Sequence, residues 1–231
     1  MKVGLWATHE AEYMPLLLQQ LSKGKVPFEI AQGATWVHGS AWEQRIRWIH
    51  EWASQQKGTI MFIDPWDTLF RGDYEVLLDR VESFKGALVW SAENKGWPRD
   101  RAMPDLGTSY KWPNDGGMVG PAELIASITD PAKIDFSPNY DPTGVYHPDG
   151  NQRWLDQVYV QDLYLSGVGV IDYECRLFQT LVNHTQKAFR RKAHWVENVE
   201  TGEWPLLFHA NGRSKFPKAL MDIFEEELYG K

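Results

Sequence analysis

The sequence has very little cysteine, since Cys175 is the one cysteine among 231 residues. A single thiol cannot form an intramolecular disulfide, and it excludes a zinc site built from several cysteines. The sequence also lacks any apolar run near the roughly 20 residues that a membrane-spanning helix needs. Glu10 and Glu12 interrupt the apolar residues after Met1, so no signal peptide is recognisable. These absences predict a protein of a reducing cytoplasm, or of a host cytoplasm if the chain is viral, with no membrane partner.

Basic residues are also scarce relative to acidic ones. The chain has 24 Lys and Arg against 31 Asp and Glu, a formal net charge of −7. This balance argues against a protein that coats nucleic acid, because such proteins neutralise phosphates with Lys and Arg. It does not exclude an enzyme that contacts DNA locally. Because no internal repeat, low-complexity tract or linker is visible, we expect a single domain over residues 1–231.

Several common catalytic motifs are absent. The sequence has no G-x-S-x-G elbow, no Walker glycine loop and no G-x-G-x-x-G after its first apolar run. Cys175 lies between Glu174 and Arg176 without a clear general base, so a cysteine nucleophile is not expected.

Apolar runs and helical spacing alternate along the first third of the chain. The pattern predicts strands over 2–7, 27–31, 59–63 and 87–91, and helices over 10–23, 40–56 and 74–84 with Ser40 as an N-cap. This alternation predicts a parallel sheet with helices on both faces. The later residues predict long loops over 94–114 and 130–150, a short apolar piece over 116–120, helices from 122, over 152–165 and over 215–228, and strands over 168–171 and 206–209.

Two aspartates follow the most apolar of the predicted strands. Residues 59–63 (TIMFI) run directly into Asp64, Pro65, Trp66 and Asp67. Ligands of open α/β sheets bind beyond the carboxyl ends of the strands. Two carboxylates that converge in one turn repel each other unless a cation lies between them. Hard oxygen ligands suit Mg²⁺ or Mn²⁺, and the alternative is a turn with two solvated aspartates.

A histidine follows another predicted strand. The segment 206–212 (LLFHANG) places His209, Asn211 and Gly212 after an apolar run. An imidazole beside two carboxylates favours Mn²⁺ over Mg²⁺, so we interpret His209 as a candidate third ligand. A lone histidine at a strand end is more often structural.

Three shorter segments also carry polar groups at predicted strand ends, turns or helices. They are residues 91–93 (SAE), residues 114–117 (NDGG) with Asp115, and Asp156 followed by Gln157. Each has an ordinary interpretation as a cap, a turn or a solvated helix face.

Seven segments together suggest a known family. They are ATHEAEY (7–13), FIDPWDTLF (62–70), WSAENKGWP (90–98), NDGGMVG (114–120), LDQVYV (155–160), IDYECRLFQTL (171–181) and PLLFHANG (205–212). In order and rough spacing, the sequence resembles the glycosyltransferase domain of procollagen lysyl hydroxylases from residue 3 to about residue 225. It resembles the collagen galactosyltransferases more distantly.

The resemblance implies a GT-A-like α/β fold with a Rossmann-like mixed sheet flanked by helices, and metal-dependent transfer of glucose or galactose from a UDP-sugar to a hydroxyl acceptor. Asp64 and Asp67 match the family's D-x-x-D metal motif, and His209 matches its third metal ligand. The other implied positions are Thr8 and Trp66 at the nucleoside, Asn211, Gly212 and Lys215 at the diphosphate, and Asp156 at the sugar and acceptor. Asp156 or Asp115 would orient or deprotonate the acceptor hydroxyl.

The sequence departs from the family at two positions. Ala210 replaces a glycine of the H-G-N-G motif, and Leu155 stands where relatives often have an acid. The alanine raises the question whether the backbone there needs the freedom of glycine. No dioxygenase domain is expected within this chain.

The sequence leaves open which acceptor is used and whether the chain catalyses a reaction at all. The acceptor hydroxyl belongs to a protein, a glycan or a hydroxymethylated DNA base, and the basic run 187–192 (KAFRRK) is the feature that suggests DNA. A non-catalytic nucleotide- or carbohydrate-binding module is a second class of hypothesis, and phosphotransfer with the same metal pair is a third. The oligomeric state is not predicted.

Overall fold

A computed structural model describes residues 1–9, 11–31, 41–98, 101–137, 154–212 and 214–229. The predicted cap Ser40, the predicted helix start at Glu10 and that at Gln152 lie outside these ranges.

The strands are β1 (Lys2–Trp6), β2 (Phe28–Ala31), β3 (Thr59–Ile63), β4 (Thr68–Phe70), β5 (Val89–Glu93), β6 (Trp112–Pro121), β7 (Val170–Ile171), β8 (Phe178–Thr180), β9 (Phe189–Lys192), β10 (Trp195–Asn198) and β11 (Leu207–His209). The helices are α1 (Met14–Lys23), α2 (Ala41–Ser54), α3 (Tyr74–Glu82), α4 (Ala122–Ile128), α5 (Asp156–Leu165) and α6 (Lys218–Tyr229), with a short 3-10 helix at Gln186–Ala188.

The main sheet has six strands in the order β2-β1-β3-β6-β5-β7. Strands β2, β1 and β3 run parallel, as do β5 and β7, but β6 is antiparallel to both of its neighbours. The prediction of a wholly parallel sheet is therefore wrong, whereas the mixed α/β sheet that the resemblance implied is confirmed.

Strand β6 was predicted as a short apolar piece over 116–120 and is ten residues long. Its glycines hide the period-two pattern of a strand because they present no side chain. Two of them instead make room for bulky neighbours. A Cβ on Gly117 would lie 2.7 Å from the Phe178 ring, and one on Gly120 would lie 3.0 Å from Cα of Leu88.

Strand β3 is buried on both faces, as its all-apolar sequence predicts. Ile60 and Phe62 pack in one apolar cluster with Trp6 and Trp90, while Met61 and Ile63 pack in a second cluster on the other face. Asp64 therefore leaves the sheet from its most enclosed strand. Within the described ranges, no helix is long and apolar enough to cross a bilayer.

A second, three-stranded sheet has the order β4-β11-β8, and β9 pairs with β10 as an antiparallel hairpin. In the small sheet, β11 runs antiparallel to β4 and parallel to β8. Sequence patterns missed β4, β8, β9 and β10, because strands of three or four residues show almost no periodicity. This small sheet brings Thr68, next to Asp67, directly opposite His209.

Candidate metal centre

The turn after β3 fixes the first two acidic side chains. The backbone N–H of Asp64 donates to the carbonyl of Gly116 at 2.8 Å, which continues the pairing of β3 with β6. Oδ1 of Asp64 accepts a hydrogen bond from the Trp66 backbone N–H at 3.1 Å. The carbonyl of Asp67 accepts from Ala210 N at 2.7 Å, so this turn is tied to β11 as well as to the main sheet.

Asp64, Asp67 and His209 form a compact group whose potential ligand atoms all lie within 4.8 Å of one another. Nε2 of His209 lies 3.0 Å from Oδ1 of Asp67. The three residues that the sequence nominated as metal ligands are thus brought together, from two segments more than a hundred residues apart. Gly116 permits this contact, because a Cβ there would lie 2.1 Å from Cε1 of His209.

The electrostatics of this group favour a positive charge among its carboxylates. Burial and the neighbouring charge of Asp67 raise the pKa of Asp64 to about 6. Burial opposes charging of His209, but Asp67, Asp64 and Asp115 outweigh it and raise the His209 pKa to about 9. In turn, burial works to raise the Asp67 pKa, but His209 outweighs it and lowers that pKa. The imidazolium proton supplies positive charge that a bound metal ion would replace.

The donors also fit a divalent ion chemically. Two carboxylates and an imidazole suit Mn²⁺, as the sequence predicted. Nδ1 of His209 is buried and has no hydrogen-bond partner among the described residues.

A second acidic pair lies beside the triad. Asp115 on β6 and Asp156 at the start of α5 both contact Nη2 of Arg45, and Nε of Arg45 also donates to Asp156 at 3.0 Å. Nη1 of the same guanidinium lies 3.4 Å from Oδ2 of Asp64. Burial lowers the pKa of Arg45, but Asp156, Asp115 and Asp64 outweigh it, so the net shift is upward and the group stays charged.

Glu93, at the end of β5, connects the remaining polar segments. It accepts hydrogen bonds from Asn211 Nδ2 and from Gln157 Nε2, both at 2.9 Å. Oε1 of Gln157 accepts from the backbone N–H of Asp115 at 2.9 Å. Burial, with the charge of Asp115, raises the pKa of Glu93 to about 8. The three short segments that singly had ordinary interpretations therefore form one hydrogen-bonded unit.

These groups surround a cavity of about 450 Å³. Eight of the ten nominated site residues line it, namely Asp64, Trp66, Asp67, Asp115, Asp156, His209, Asn211 and Gly212. Thr8 and Lys215 do not line it. Thr8 is connected to the cavity through His9. The Thr8 hydroxyl is 2.9 Å from Nδ1 of His9, and the His9 ring stacks on Trp66 with the ring centroids 5.4 Å apart. Lys215 is exposed.

The substitution at Ala210 is compatible with the backbone. Ala210 lies outside the left-handed region, and its methyl group is buried with Leu69 and Phe208. The left-handed residue of the segment is Gly212, with φ of +63°. The concern that Ala210 needs the freedom of glycine is therefore not supported.

Arg45 is the main residue that sequence reasoning missed. Ala41, Arg45 and Ile49 follow one another at four-residue spacing on α2, and all three are buried. A charge on the apolar face of a helix indicates a buried ion pair, because an isolated buried charge is too costly. The four-residue spacing of Arg45 from Ala41 and Ile49 was therefore the sequence feature that could have identified it.

Comparison with known sequences identifies the family. The family model described as the PLOD GT domain matches residues 29–225. The chain belongs to this family. Its GT-A-like mixed sheet and its glycosyltransferase-domain character follow from that membership.

Members of the family with curated descriptions are similar at low identity. The human "Multifunctional procollagen lysine hydroxylase and glycosyltransferase LH3" is 27% identical over 182 residues, 74% of this chain and 23% of that protein. Human "Procollagen-lysine,2-oxoglutarate 5-dioxygenase 2" is 22% identical over 216 residues, 89% of this chain and 27% of that protein. The chain thus spans about a quarter of the length of these relatives. A solved structure, A197 from STIV, covers 58% of this chain and 68% of its own with a TM-score of 0.36 and 12% identity.

Proposed function

We propose that this chain transfers a sugar, glucose or galactose, from a UDP-sugar to a hydroxyl acceptor with the help of Mn²⁺ or Mg²⁺. The observation that carries the proposal is the triad of Asp64, Asp67 and His209 on the wall of the cavity. The same cavity offers Trp66 as a flat apolar surface and Asp156 as a carboxylate.

Each group of the cavity has a distinct part in this reaction. A divalent ion held by Asp64, Asp67 and His209 would supply positive charge where negative charge develops on the leaving UDP. Trp66 offers an aromatic face to the uracil ring. Asn211 and Gly212 line the same cavity as His209, and the diphosphate would bind beside them.

The acceptor side of the reaction belongs to Asp156 and Asp115. Either carboxylate would hold the acceptor hydroxyl in line with the anomeric carbon and take its proton. Arg45 binds both of them, so their oxygens are fixed in direction. Glu93 fixes the orientation of the neighbouring Gln157 and Asn211 amides by accepting a hydrogen bond from each.

A DNA acceptor is not favoured. The basic run that suggested it spans the short 3-10 helix and β9, and three of its four cations lie close to acids. Arg191 forms two hydrogen bonds with Glu226, at 2.5 and 2.6 Å, and Arg190 lies 3.3 Å from Glu197. Cations that already have carboxylate partners are poorly available for phosphates.

Because the relatives are described as acting on procollagen lysine, we propose that the acceptor is a hydroxyl of a protein side chain or of a glycan attached to it. A cytoplasmic location stays a prediction.

The first test is calorimetric titration of UDP in the presence of Mn²⁺ and then of EDTA. We expect binding that requires the ion and that disappears in Asp67→Asn, since the substitution removes one of three ligands. Asp73→Asn is the matched control, because Asp73 caps α3 outside the cavity and asparagine also caps helices well. Binding that ignores both EDTA and Asp67→Asn would refute the metal role. UDP binding without release of UDP from any UDP-sugar would instead indicate the non-catalytic module.

A second prediction concerns the aromatic surface. Trp66→Ala is expected to weaken UDP binding by about tenfold, since stacking of a base on an aromatic ring contributes about 1–3 kcal/mol. Trp66→Phe should retain most of the affinity. Trp204, which is 42% exposed and does not line the cavity, provides the control substitution Trp204→Ala. Equal affinities of wild type and Trp66→Ala would remove Trp66 from the nucleoside site.

A further inference from the structure

Arg45 is a buried cation placed among acids from three separate elements. Its side chain is 8% exposed, and it contacts Asp64 after β3, Asp115 on β6 and Asp156 on α5. The guanidinium also lies over the ring of Phe62, with Cζ 5.9 Å from the centroid. An arginine in this position orders carboxylates that are distant in sequence, because its donors have fixed directions.

The contacts of Arg45 divide the cavity into two cation positions. One is the triad of Asp64, Asp67 and His209. The other is occupied by Nη2 of Arg45, which both Asp115 and Asp156 contact. Asp64 belongs to both, since it is in the triad and its Oδ2 lies 3.4 Å from Nη1 of Arg45. A carboxylate shared between two cations is the arrangement found in two-metal sites.

The positive charge of Arg45 is needed at this second position because two carboxylates contact it there. A divalent ion at the triad would be neutralised by Asp64 and Asp67, which leaves Asp115 and Asp156 with Arg45 as their cation. Without Arg45, two carboxylates that now share one nitrogen atom would face each other in a buried setting. Such a pair must take up a proton or another cation.

We propose that Arg45 acts as the permanent second cation of this site: it excludes a second divalent ion and holds Asp115 and Asp156 in position on the cavity wall. The proposal rests on the proposed function only for the ion at the triad. Arg45 is in this sense a positioning residue, which acts on the reaction through the two aspartates.

The test is the number of Mn²⁺ ions bound per chain, measured by calorimetry and by the loss of the electron paramagnetic resonance signal of free Mn²⁺. Wild type is expected to bind one ion. Arg45→Met is expected to bind one ion more, because Asp115 and Asp156 lose their cation. Arg45→Gln, which keeps a donor amide, is measured in the same way, and circular dichroism checks that each variant is folded. If one of the two variants does not fold, the other still tests the proposal.

Two further variants separate charge from general disturbance. Arg45→Lys retains a cation and is expected to keep the wild-type stoichiometry. Arg47→Met is the matched control two residues along α2, since Arg47 is 48% exposed and pairs with Glu43 at 2.7 Å. No additional ion in the folded Met and Gln variants, or an additional ion in Arg45→Lys or Arg47→Met, would overturn the proposal.

The number of ions bound by wild type tests the metal role of the triad, and the additional ion in the Arg45 variants tests the role of Arg45. If wild type binds no ion and Arg45→Met binds one, the metal role of the triad fails while Arg45 is supported. If wild type, Arg45→Met and Arg45→Gln bind one ion each, the triad is supported and the inference about Arg45 is refuted.

Discussion

Gly116→Ala is expected to abolish Mn²⁺ binding. The added Cβ would lie 2.1 Å from Cε1 and 2.4 Å from Nδ1 of His209, so the imidazole cannot keep its present position. The β6 backbone cannot move away easily, because it pairs with β3 at the neighbouring residues. Loss of one of three ligands should remove metal-dependent UDP binding as well. Calorimetric titration with Mn²⁺, and with UDP in its presence, measures both effects.

The neighbouring glycine provides the control. Gly117 faces the other side of the sheet, where its Cβ would lie 2.7 Å from Cδ1 of Phe178. Gly117→Ala should lower the free energy of unfolding by about 1–3 kcal/mol through overpacking of the core. It should still bind Mn²⁺. Wild-type Mn²⁺ affinity in Gly116→Ala would contradict the assignment of His209 as a ligand.

Asp172→Asn is expected to lower the free energy of unfolding by about 3 kcal/mol, because buried backbone donors would lose their acceptor. Asp172 is 1% exposed. It accepts hydrogen bonds from the backbone N–H groups of Arg176 at 2.9 Å, Leu177 at 2.7 Å and Phe178 at 2.8 Å. An asparagine presents an NH₂ group to at least one of these donors. The affected turn leads into β8, which pairs with the strand that carries His209.

Chemical unfolding at pH 7.5 measures this effect. Burial is the largest influence on Asp172 and raises its pKa to about 6, against the opposing backbone N–H groups. The carboxylate is therefore ionised in the folded protein at that pH. Asp105→Asn is the control, since Asp105 is exposed and accepts one hydrogen bond, from Gly107 N at 3.0 Å. Equal unfolding free energies of the two variants would show that the Asp172 contacts contribute little.

Much of the site could be anticipated because it lies where strands end. The apolar run over 59–63 and the polar residues after it placed Asp64 and Asp67 at the edge of a buried strand. The same reasoning applied to 206–209 selected His209 from seven histidines. Strands over 2–7, 27–31 and 59–63 were also predicted within a residue or two of their observed bounds.

The parts that could not be anticipated depend on pairing between distant segments. Strand β6 is rich in glycine, and its antiparallel direction between β3 and β5 follows from packing that local periodicity does not encode. The three-residue strands β4 and β8, which were not predicted, are stable only beside β11 in one sheet. Isolated short strands have too few hydrogen bonds and too little buried surface to form alone.

The sequence by itself determined which chemical groups are available and where the buried strands end, because side-chain polarity and strand periodicity are local properties. Only the tertiary structure decided that Arg45 holds Asp115 and Asp156, and that Gly116 leaves room for His209. The physical reason is that a buried charge is stabilised by whichever partners packing brings within a few ångströms. Those partners lie on other strands and helices, up to 111 residues away.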